Sequence, residues 1–288
     1  MQVLLTGGAG DLGYSASKQL VAQGDTPIRL DVRSPADSNG IYVAGSILDR
    51  STLASAMHNV DCIVHIAAWH GVHEFRHEKD VYDFWDLNVT GTFYVFEAAV
   101  QAGITSVVYI SSTSVEERDG VYGHTKVLGE EIARTYAARH HMNVITLRPR
   151  AFIPYWNKTV YNSYVEWAKW FWGGAVHIND VTQAIMQSIK LLSTKPLDEH
   201  LVLPLDSAYD YTDEDLQRWD AAGAGSTFRR YYPEYVDLVL GYGLDPTQKP
   251  EKYDISATRH WLGYNPTYGL SNLLQELAQY GEDGPSHP

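Results

Sequence analysis

The first half of the chain alternates short apolar runs with longer stretches of helical spacing. The runs are continuous and rich in β-branched residues, as in strands that are covered on both faces. They are Val3 to Leu5, Ile28 to Leu30, Cys62 to Ile66, Val107 to Ile110 and Val144 to Leu147. The helix-like stretches between them are Leu12 to Gln23, Thr52 to His58, Val89 to Ala102 and Val121 to Arg139. The alternation predicts βαβ units and therefore an α/β fold with a doubly wound parallel sheet.

After Arg148 the sequence becomes aromatic, Pro-containing and irregular. A βαβ-like piece returns from Ala175 to Leu192 and from His200 to Leu203, and the remainder has the pattern of helix and loop. We therefore predict a sheet domain over residues 1–148 that also takes in about 175–205. A small, mostly C-terminal cap is predicted over residues 149–174 and 206–288.

The charge balance limits the partners of the chain. Lys and Arg number 22 and Asp and Glu number 35, which gives a formal charge of −13. Nucleic acids and anionic membrane surfaces would be repelled, so neither is predicted as a partner.

Cys62 is the only cysteine, so no intrachain disulfide can form, and its place in a strand predicts a small buried hydrophobe. The apolar stretch before the first glycine is too short to be the hydrophobic region of a signal peptide. We therefore expect the protein to be cytoplasmic.

The segment TGGAGDLG follows the first predicted strand directly and precedes a helix. Gly7, Gly10 and Gly13 would allow a tight turn, close approach of a pyrophosphate to main-chain N–H groups, and close packing of helix on strand. Asp31 ends the next strand, where a carboxylate accepts hydrogen bonds from ribose hydroxyls and repels a 2′-phosphate. NAD is therefore predicted over NADP, although Arg33 keeps NADP open. The predicted cofactor contacts in the turn are Gly7, Gly10, Asp11, Leu12 and Gly13.

A second polar motif, Tyr122-Gly123-His124-Thr125-Lys126, stands at the head of a predicted helix. Residues four apart lie on one helical face, so the Tyr122 hydroxyl and the Lys126 ammonium can address one site. We expect the ammonium to lower the tyrosine pKa from its usual value of about 10, making Tyr122 a usable general base. The run Ser111 to Ser114 follows a predicted strand and can supply a hydroxyl that orients a substrate oxygen.

Taken in order, these motifs resemble the extended short-chain dehydrogenases/reductases of the NAD-dependent epimerase/dehydratase family. The resemblance covers nearly the whole sheet domain and reaches the tail that ends in WLGYNP. The segments that carry it are TGGAGDLG, His65 to Ala68, Asn88 to Thr92, Ser111 to Val115, YGHTK with Gly129 and Glu130, Leu147 to Pro149, Val176 to Val181 and Asp254 to Pro266.

The resemblance implies a Rossmann-type fold, a bound NAD and a role for each matching residue. Ser112 aligns with the catalytic Ser/Thr, Tyr122 with the general base or acid, and Lys126 with the residue that binds the nicotinamide ribose and tunes the tyrosine. Further cofactor contacts implied are Ser46, Ile47, Ala67 and Ala68, and Asn88 takes a supporting role. Paired helices form a four-helix dimer interface in this family, so a homodimer is expected by analogy.

The chain also departs from the family pattern. Only ten residues separate Ser112 from Tyr122, where sugar-nucleotide members carry a longer excursion. Ala151 stands where those members place an Asn that holds the substrate diphosphate, which counts against a UDP-sugar substrate. Arg150, Arg229 and Arg230 remain candidates for an anionic substrate group or for solvated surface positions. Dehydration would need a further acid/base pair, and Thr113 and Ser114 occupy its usual place, so a dehydratase is disfavoured.

The substrate-binding residues are the least determined part of the prediction. A predicted loop over the carboxyl edge of the sheet contains His70, His73, Arg76 and His77. These residues could recognise a substrate, bind a metal or form a plain polar loop. A metal site is the least favoured of the three, and no metal is predicted. The aromatic segment from Tyr155 to Trp172 suits a core, a substrate pocket or a dimer surface. The substrate candidates are His70, His73, Arg76, Thr113, Arg150 and Trp156.

The sequence therefore predicts an NAD-dependent oxidoreductase that moves hydride to or from a secondary alcohol carbon of a small sugar-like or polyol substrate. The same Ser, Tyr and Lys would also serve a nucleotide-sugar epimerase with tightly bound NAD. A non-catalytic NAD-binding regulatory protein is the third alternative, which the intact set of Ser112, Tyr122 and Lys126 disfavours.

Overall fold

A parallel sheet of seven strands organises the computed structural model, which describes residues 1–117, 120–197 and 199–287. The strand order is β3-β2-β1-β4-β5-β6-β7. The strands are β1 Gln2–Thr6, β2 Thr26–Asp31, β3 Ile41–Ala44, β4 Cys62–His65, β5 Ser106–Ile110, β6 Asn143–Pro149 and β7 Leu201–Leu205. The order reverses between β1 and β4, which is the point where doubly wound folds hold ligands at the carboxyl edge. The predicted Rossmann-type α/β fold is confirmed.

The chain divides into two units, which we call the sheet unit and the second unit. The sheet unit comprises Met1–Pro149, Val181–Leu205 and Ile255–Tyr264, and the second unit Arg150–Asp180, Asp206–Asp254 and Asn265–Pro288. The sequence placed residues 255–264 in the cap, but they cluster with the sheet unit. One reason is that the Thr258 hydroxyl donates to the Pro204 carbonyl of β7 at 2.6 Å.

Helices connect the strands of the sheet unit. They are α1 Asp11–Ala22, α2 Arg50–Ala56, α3 Gly71–Phe75, α4 Val81–Phe84, α5 Thr92–Ala102, α6 Ser114–Glu117 and α7 Val121–His140. Two further helices belong wholly or largely to the sheet unit. They are α9 Ile178–Thr194, from Val181 onward, and α13 Ser256–Leu262. Side chains from α2, α5 and α7 pack with β1, β2, β4, β5 and β6 in one core, including the fully buried Leu4, Val95 and Phe96.

Three local features differ from the sequence-based prediction. Strand β3 was not predicted, because its residues are mostly exposed at the edge of the sheet. Helix α2 begins at Arg50 rather than Thr52, because the Asp49 carboxylate accepts the N–H groups of Ser51 and Thr52. The sequence predicted one helix from Val89. In the structure, residues Trp85–Gly91 form a π-helical stretch, and α5 begins directly after it at Thr92.

Aromatic side chains form the core of the second unit. Its helices are α8 Tyr164–Trp172, α10 Asp213–Gln217, α11 Ser226–Tyr231, α12 Val236–Gly241 and α14 Leu270–Tyr280, with a short 3₁₀ turn at Pro233–Tyr235. Tyr164 and Trp167 are fully buried, and the Trp167 indole N–H donates to the Ile153 carbonyl at 2.9 Å. Most of the aromatic segment predicted as core, pocket or dimer surface therefore serves as core.

Two predicted properties of the whole chain can be compared with the structure. Cys62 is fully buried in β4, as predicted, and burial raises the pKa of its thiol to about 12. Within the part of the chain that the structure describes, no helix has both the length and the apolar character to cross a membrane.

Candidate active site

The predicted glycine turn lies between β1 and α1 at the carboxyl edge of the sheet. Gly7 has φ of +69°, and the Gly10 N–H donates to the Gly7 carbonyl at 3.1 Å. A Cβ atom at Gly13 would lie 2.7 Å from the Gly8 main chain, so glycine there lets α1 pack directly on the turn. Gly10 is the N-cap residue of α1 and has no side chain to accept hydrogen bonds from the first N–H groups of the helix. Those N–H groups can therefore bind an anionic group.

A buried arginine under the turn was missed in the sequence reading. Arg29 of β2 is 1% exposed, and its Nε donates to the Gly8 carbonyl at 2.7 Å. Its guanidinium also pairs with Asp37 at 2.5 Å. A charged residue inside an apolar run was the available signal, because a buried charge needs partners. Arg29, which lies on β2, therefore holds the glycine turn in place.

Asp31 lies at the end of β2, next to the turn, as predicted. It is 8% exposed, and its carboxylate accepts the N–H groups of Ala9 at 3.0 Å and Arg33 at 2.9 Å. The Arg33 side chain is 71% exposed, with its Nε 3.9 Å from the Asp31 carboxylate. The acid is thus held beside the turn by main-chain donors, while the arginine extends into solvent.

The other predicted cofactor contacts follow strand ends of the same edge or begin α1; they are Asp11, Leu12, Ser46, Ile47, Ala67 and Ala68. Ile47 is buried against Gly91, where a Cβ atom would lie 2.5 Å from the Ile47 side chain. The Ala67 N–H donates to the Thr6 hydroxyl at 3.2 Å, which ties the end of β4 to the end of β1.

The three predicted catalytic residues come together at the ends of β5 and α7. Ser112 follows β5, and its hydroxyl acts on the Tyr122 phenol, whose pKa it lowers. Lys126 is buried, its Nζ lies 5.9 Å from the centre of the Tyr122 ring, and it donates to the Ile110 carbonyl at 2.8 Å. The Ser114 N–H donates to the Ser112 hydroxyl at 3.1 Å, which fixes that oxygen near the tyrosine.

The expected lowering of the tyrosine pKa by Lys126 is wrong for the protein as the structure describes it. Burial raises the pKa of Tyr122 to about 12, and the hydrogen bond with Ser112 only partly opposes this rise. Burial also lowers the pKa of Lys126 to about 7, although Glu130 acts in the opposite direction. Removal from water is thus the largest influence on the pKa of both groups. Tyr122 therefore holds its proton at neutral pH.

Asn88 holds the loop after β4 against α7. Its side-chain oxygen accepts the Trp69 N–H at 2.7 Å, and its amide nitrogen donates to the Trp69 carbonyl at 2.9 Å. The same nitrogen donates to the Thr125 hydroxyl at 3.1 Å, and that hydroxyl donates to the Tyr122 carbonyl at 2.8 Å. Asn88 thus has the supporting position that the resemblance implied.

Below the site, Glu130 of α7 joins two neighbouring strands. It accepts the Ser111 hydroxyl at 2.5 Å and pairs with Arg148 at 2.6 Å. The carboxylate in turn holds the pKa of Arg148 above its usual value. These contacts fix α7 on the ends of β5 and β6.

The histidine loop forms the short helix α3 and its flanks. The His70 N–H donates to His73 Nδ1 at 3.0 Å, and the two rings meet edge to face. Arg76 lies 3.9 Å from Glu78. Across the described ranges, no group of three His, Cys, Asp or Glu side chains is arranged to hold a metal. Thr113, predicted beside the catalytic serine, donates its N–H to the Pro149 carbonyl at 3.1 Å.

Two of the substrate candidates belong to the second unit. Arg150 is 8% exposed, and its guanidinium lies 3.5 Å from Asp206 and hydrogen-bonds to the Tyr209 hydroxyl and the Glu251 carbonyl. Its charge is thus already paired within the unit. Trp156 is half-buried and packs edge to face on Tyr155 and His287.

A small pocket of about 50 Å³ lies within the second unit. Its aromatic lining is Phe171, Trp172, Tyr209, Tyr211, Trp219 and Phe228. The indole N–H groups of Trp172 and Trp219 donate to the carbonyls of Asp245 and Thr247, so loop residues fix both rings. Among the described residues, no Lys, Arg or His lines this pocket.

The strand order and the glycine turn at the point where that order reverses define a Rossmann-type α/β protein. The model of the NAD dependent epimerase/dehydratase family matches residues 3–160. The chain belongs to this family.

Similar proteins include both dehydrogenases and epimerases. An L-arabinose 1-dehydrogenase (NAD(P)(+)) of Haloferax volcanii is 28% identical, covering 51% of this chain and 65% of that protein. A UDP-glucose 4-epimerase of Erwinia amylovora is 29% identical, covering 51% of this chain and 52% of the relative. The chain thus spans about half to two thirds of the length of these relatives. A UDP-glucuronic acid 4-epimerase of Bacillus cereus, solved with UDP-glucuronic acid and NAD, shares the fold at a TM-score of 0.72, with 18% identity over 97% of this chain and 98% of that one.

Proposed function

We propose that this protein is an NAD-dependent oxidoreductase that acts on a secondary alcohol carbon of a small, free sugar-like or polyol substrate. The observation that carries the proposal is the meeting of Ser112, Tyr122 and Lys126 at the carboxyl edge of the sheet, where the glycine turn also lies. A protein that only binds a dinucleotide has no need of all three side chains.

The residues of the turn fit a dinucleotide. Gly10 leaves the start of α1 without a side-chain cap, and Asp31 is buried beside the turn, where it can accept ribose hydroxyls. The same carboxylate disfavours a 2′-phosphate, which supports NAD over NADP. When bound, NAD accepts a hydride from the substrate carbon or returns one to it.

The side chains at the edge supply the proton transfer. In the oxidation direction, Tyr122 takes the proton of the substrate hydroxyl, while the Ser112 hydroxyl holds the same oxygen. Lys126 lies near the phenol ring and favours its ionised form whenever it carries charge. In the reduction direction, Tyr122 already holds the proton that the new alcohol requires.

The raised tyrosine pKa gives a prediction for the pH dependence of the reaction. Oxidation needs Tyr122 without its proton, and its pKa is about 12. Below that pKa, the ionised fraction grows with pH, so the oxidation rate is expected to rise by up to about tenfold per pH unit between about pH 7 and about pH 9. Reduction starts from the protonated form and should not rise over this interval. Initial rates in both directions check the prediction, and an oxidation rate that falls with pH would contradict it.

Three features support a free substrate over a nucleotide sugar. Ser112 and Tyr122 are ten residues apart, and Ala151 replaces the diphosphate-binding Asn of sugar-nucleotide members. Arg150, the arginine that follows β6, is already paired with Asp206. The similarity to a sugar dehydrogenase agrees with this choice, whereas the similarity to UDP-glucose 4-epimerases keeps an epimerase as the alternative.

The function is tested by incubating the purified protein and NAD with L-arabinose, other free aldoses, uronic acids, polyols and UDP-glucose. We expect NADH to accumulate with a free substrate. Interconversion of UDP-sugars without NADH accumulation would select the epimerase. Binding of NAD without turnover of any panel member would favour the regulatory alternative and count against the proposal.

We further propose a homodimer formed through the α4 to α5 region. Four large apolar side chains are exposed there, with Tyr82 at 75%, Val81 at 55%, Trp85 at 50% and Phe93 at 43%. Apolar exposure concentrated on one helical segment is typical of an interface between protein chains. A cytoplasmic location stays a prediction from the sequence.

Light scattering of the purified protein is expected to give twice the mass of one chain. Replacing both Tyr82 and Trp85 by Glu should give a folded monomer, because charges would be buried in the interface. The control is Leu240→Glu, which changes a side chain 53% exposed in the second unit and should leave the dimer intact. A parent protein that runs as a monomer would contradict the proposal.

A further inference from the structure

The start of helix α7 is capped by a residue that lies far away in the sequence. Gly120 precedes the helix and offers no side-chain acceptor. Glu74 of α3 fills this place: its carboxylate accepts the Val121 N–H at 2.7 Å and the Tyr122 N–H at 2.9 Å. Unpaired N–H groups and the positive end of the helix dipole both favour a carboxylate here. One of the two main-chain groups that Glu74 holds belongs to the catalytic tyrosine itself.

The packing around this contact leaves little room for change. A Cβ atom at Gly120 would lie 2.8 Å from a carboxylate oxygen of Glu74. A Cβ atom at Gly71, in the same short helix as Glu74, would lie 3.3 Å from the ring of Tyr122. Helix α3 therefore contacts Tyr122 twice, through the carboxylate at its main chain and through Gly71 at its ring.

The other end of the loop is fixed independently. Asn88 pairs with both main-chain groups of Trp69 and also with the Thr125 hydroxyl, which donates to the Tyr122 carbonyl. The Tyr122 N–H is thus held through Glu74 and its carbonyl through Thr125. Both supports lead back to one loop, the segment from Trp69 to Phe75.

We propose that Glu74 is a positioning residue for Tyr122, holding the phenol at the distance from Ser112 that proton transfer requires. The inference rests on the proposed function, because it assigns Tyr122 the acid–base step. Glu74 touches neither Ser112 nor Lys126 in any described contact, so it acts through the tyrosine.

Kinetics with the best panel substrate test the positioning role. Glu74→Gln keeps the size but loses one acceptor and the charge, and Glu74→Ala loses both acceptors. We expect kcat to fall by about 10-fold in Glu74→Gln and about 100-fold in Glu74→Ala, with KM and the Kd of NADH within about twofold of the parent. A merely structural role would instead lower the yield or the thermal stability of the folded protein, without this separation of kcat from KM.

The control is Glu78→Gln, which makes the same chemical change in the same loop, at a side chain 49% exposed and 3.9 Å from Arg76. It should leave kcat unchanged. A second variant, Gly120→Ala, disturbs the same contact without changing Glu74, because its Cβ atom would displace the Glu74 carboxylate. It is expected to lower kcat by about as much as Glu74→Ala, because both N–H groups lose their acceptor.

Hydrogen exchange of the main chain, measured by mass spectrometry, gives a readout that needs no substrate. In Glu74→Gln and Gly120→Ala, peptides covering Val121 and Tyr122 should exchange faster than in the parent, and peptides of the glycine turn should not. Unchanged exchange would overturn the inference, and so would faster exchange with unchanged kcat. If no substrate of the panel is turned over, the proposed function fails, while exchange still decides whether Glu74 holds Tyr122.

Discussion

Replacing Tyr122 by Phe is expected to lower the oxidation rate by about 10²–10⁴-fold, the usual contribution of a positioned acid or base. The change removes only the phenol hydroxyl, on which the Ser112 hydroxyl acts. The ring remains, so Gly71 keeps its packing partner and α7 keeps its start. Initial rates of NADH formation measure the effect, and NADH binding should stay within about twofold of the parent.

The matched control for this variant is Tyr280→Phe, which removes a phenol hydroxyl from a residue 41% exposed at the end of α14. It should retain the parent rate. A Tyr122→Phe protein that oxidises the best substrate as fast as the parent would remove Tyr122 from the mechanism. Loss of NADH binding together with activity would instead show that the hydroxyl supports the cofactor site.

Gly13→Ala is expected to have the second large effect, on cofactor binding. Its Cβ would lie 2.7 Å from the main chain of Gly8, where no flexible side chain can move aside. Helix α1 must then shift from the turn, and overpacking of this kind costs about 1–3 kcal/mol. Because the displaced turn no longer presents its N–H groups to the pyrophosphate, we expect the Kd of NAD to rise by roughly 5- to 150-fold. Titration of NADH fluorescence measures the change.

Gly241→Ala is the control for Gly13→Ala, because a Cβ atom there meets nothing within 4 Å. It should leave the Kd of NAD unchanged. Thermal unfolding of both variants separates weaker binding from loss of fold. An unchanged Kd in folded Gly13→Ala would contradict the assignment of the turn to the dinucleotide.

The spacing of apolar residues and the positions of turn-forming glycines predicted the architecture well. Continuous β-branched runs and glycine turns are local features of the sequence, so they can be recognised without the fold. The five strands predicted for the first half all form, and β3 was missed because an exposed edge strand lacks such a run. The π-helical stretch Trp85–Gly91 depends on tertiary contacts of Asn88 and Gly91, which no local pattern encodes. Fold prediction therefore failed where distant residues decide the local conformation.

The same distinction applies to the site. Ser112, Tyr122 and Lys126 were found through motif order and helical spacing, and the structure brings them together. Burial was not visible in the sequence, so the direction of the Tyr122 pKa shift was predicted wrongly. Glu74 escaped notice because its partners lie 47 and 48 residues away. Only the folded chain shows that contact.

Isotope transfer tests the central claim most directly. The best free substrate, carrying deuterium on the carbon that bears the reacting hydroxyl, is incubated with the protein and NAD, and the NADH formed is analysed by mass spectrometry. We predict that NADH accumulates, carries the deuterium of the substrate, and forms at the much reduced rate given above with Tyr122→Phe. Deuterium that stays in the sugar pool without NADH accumulation would contradict net oxidation at this site.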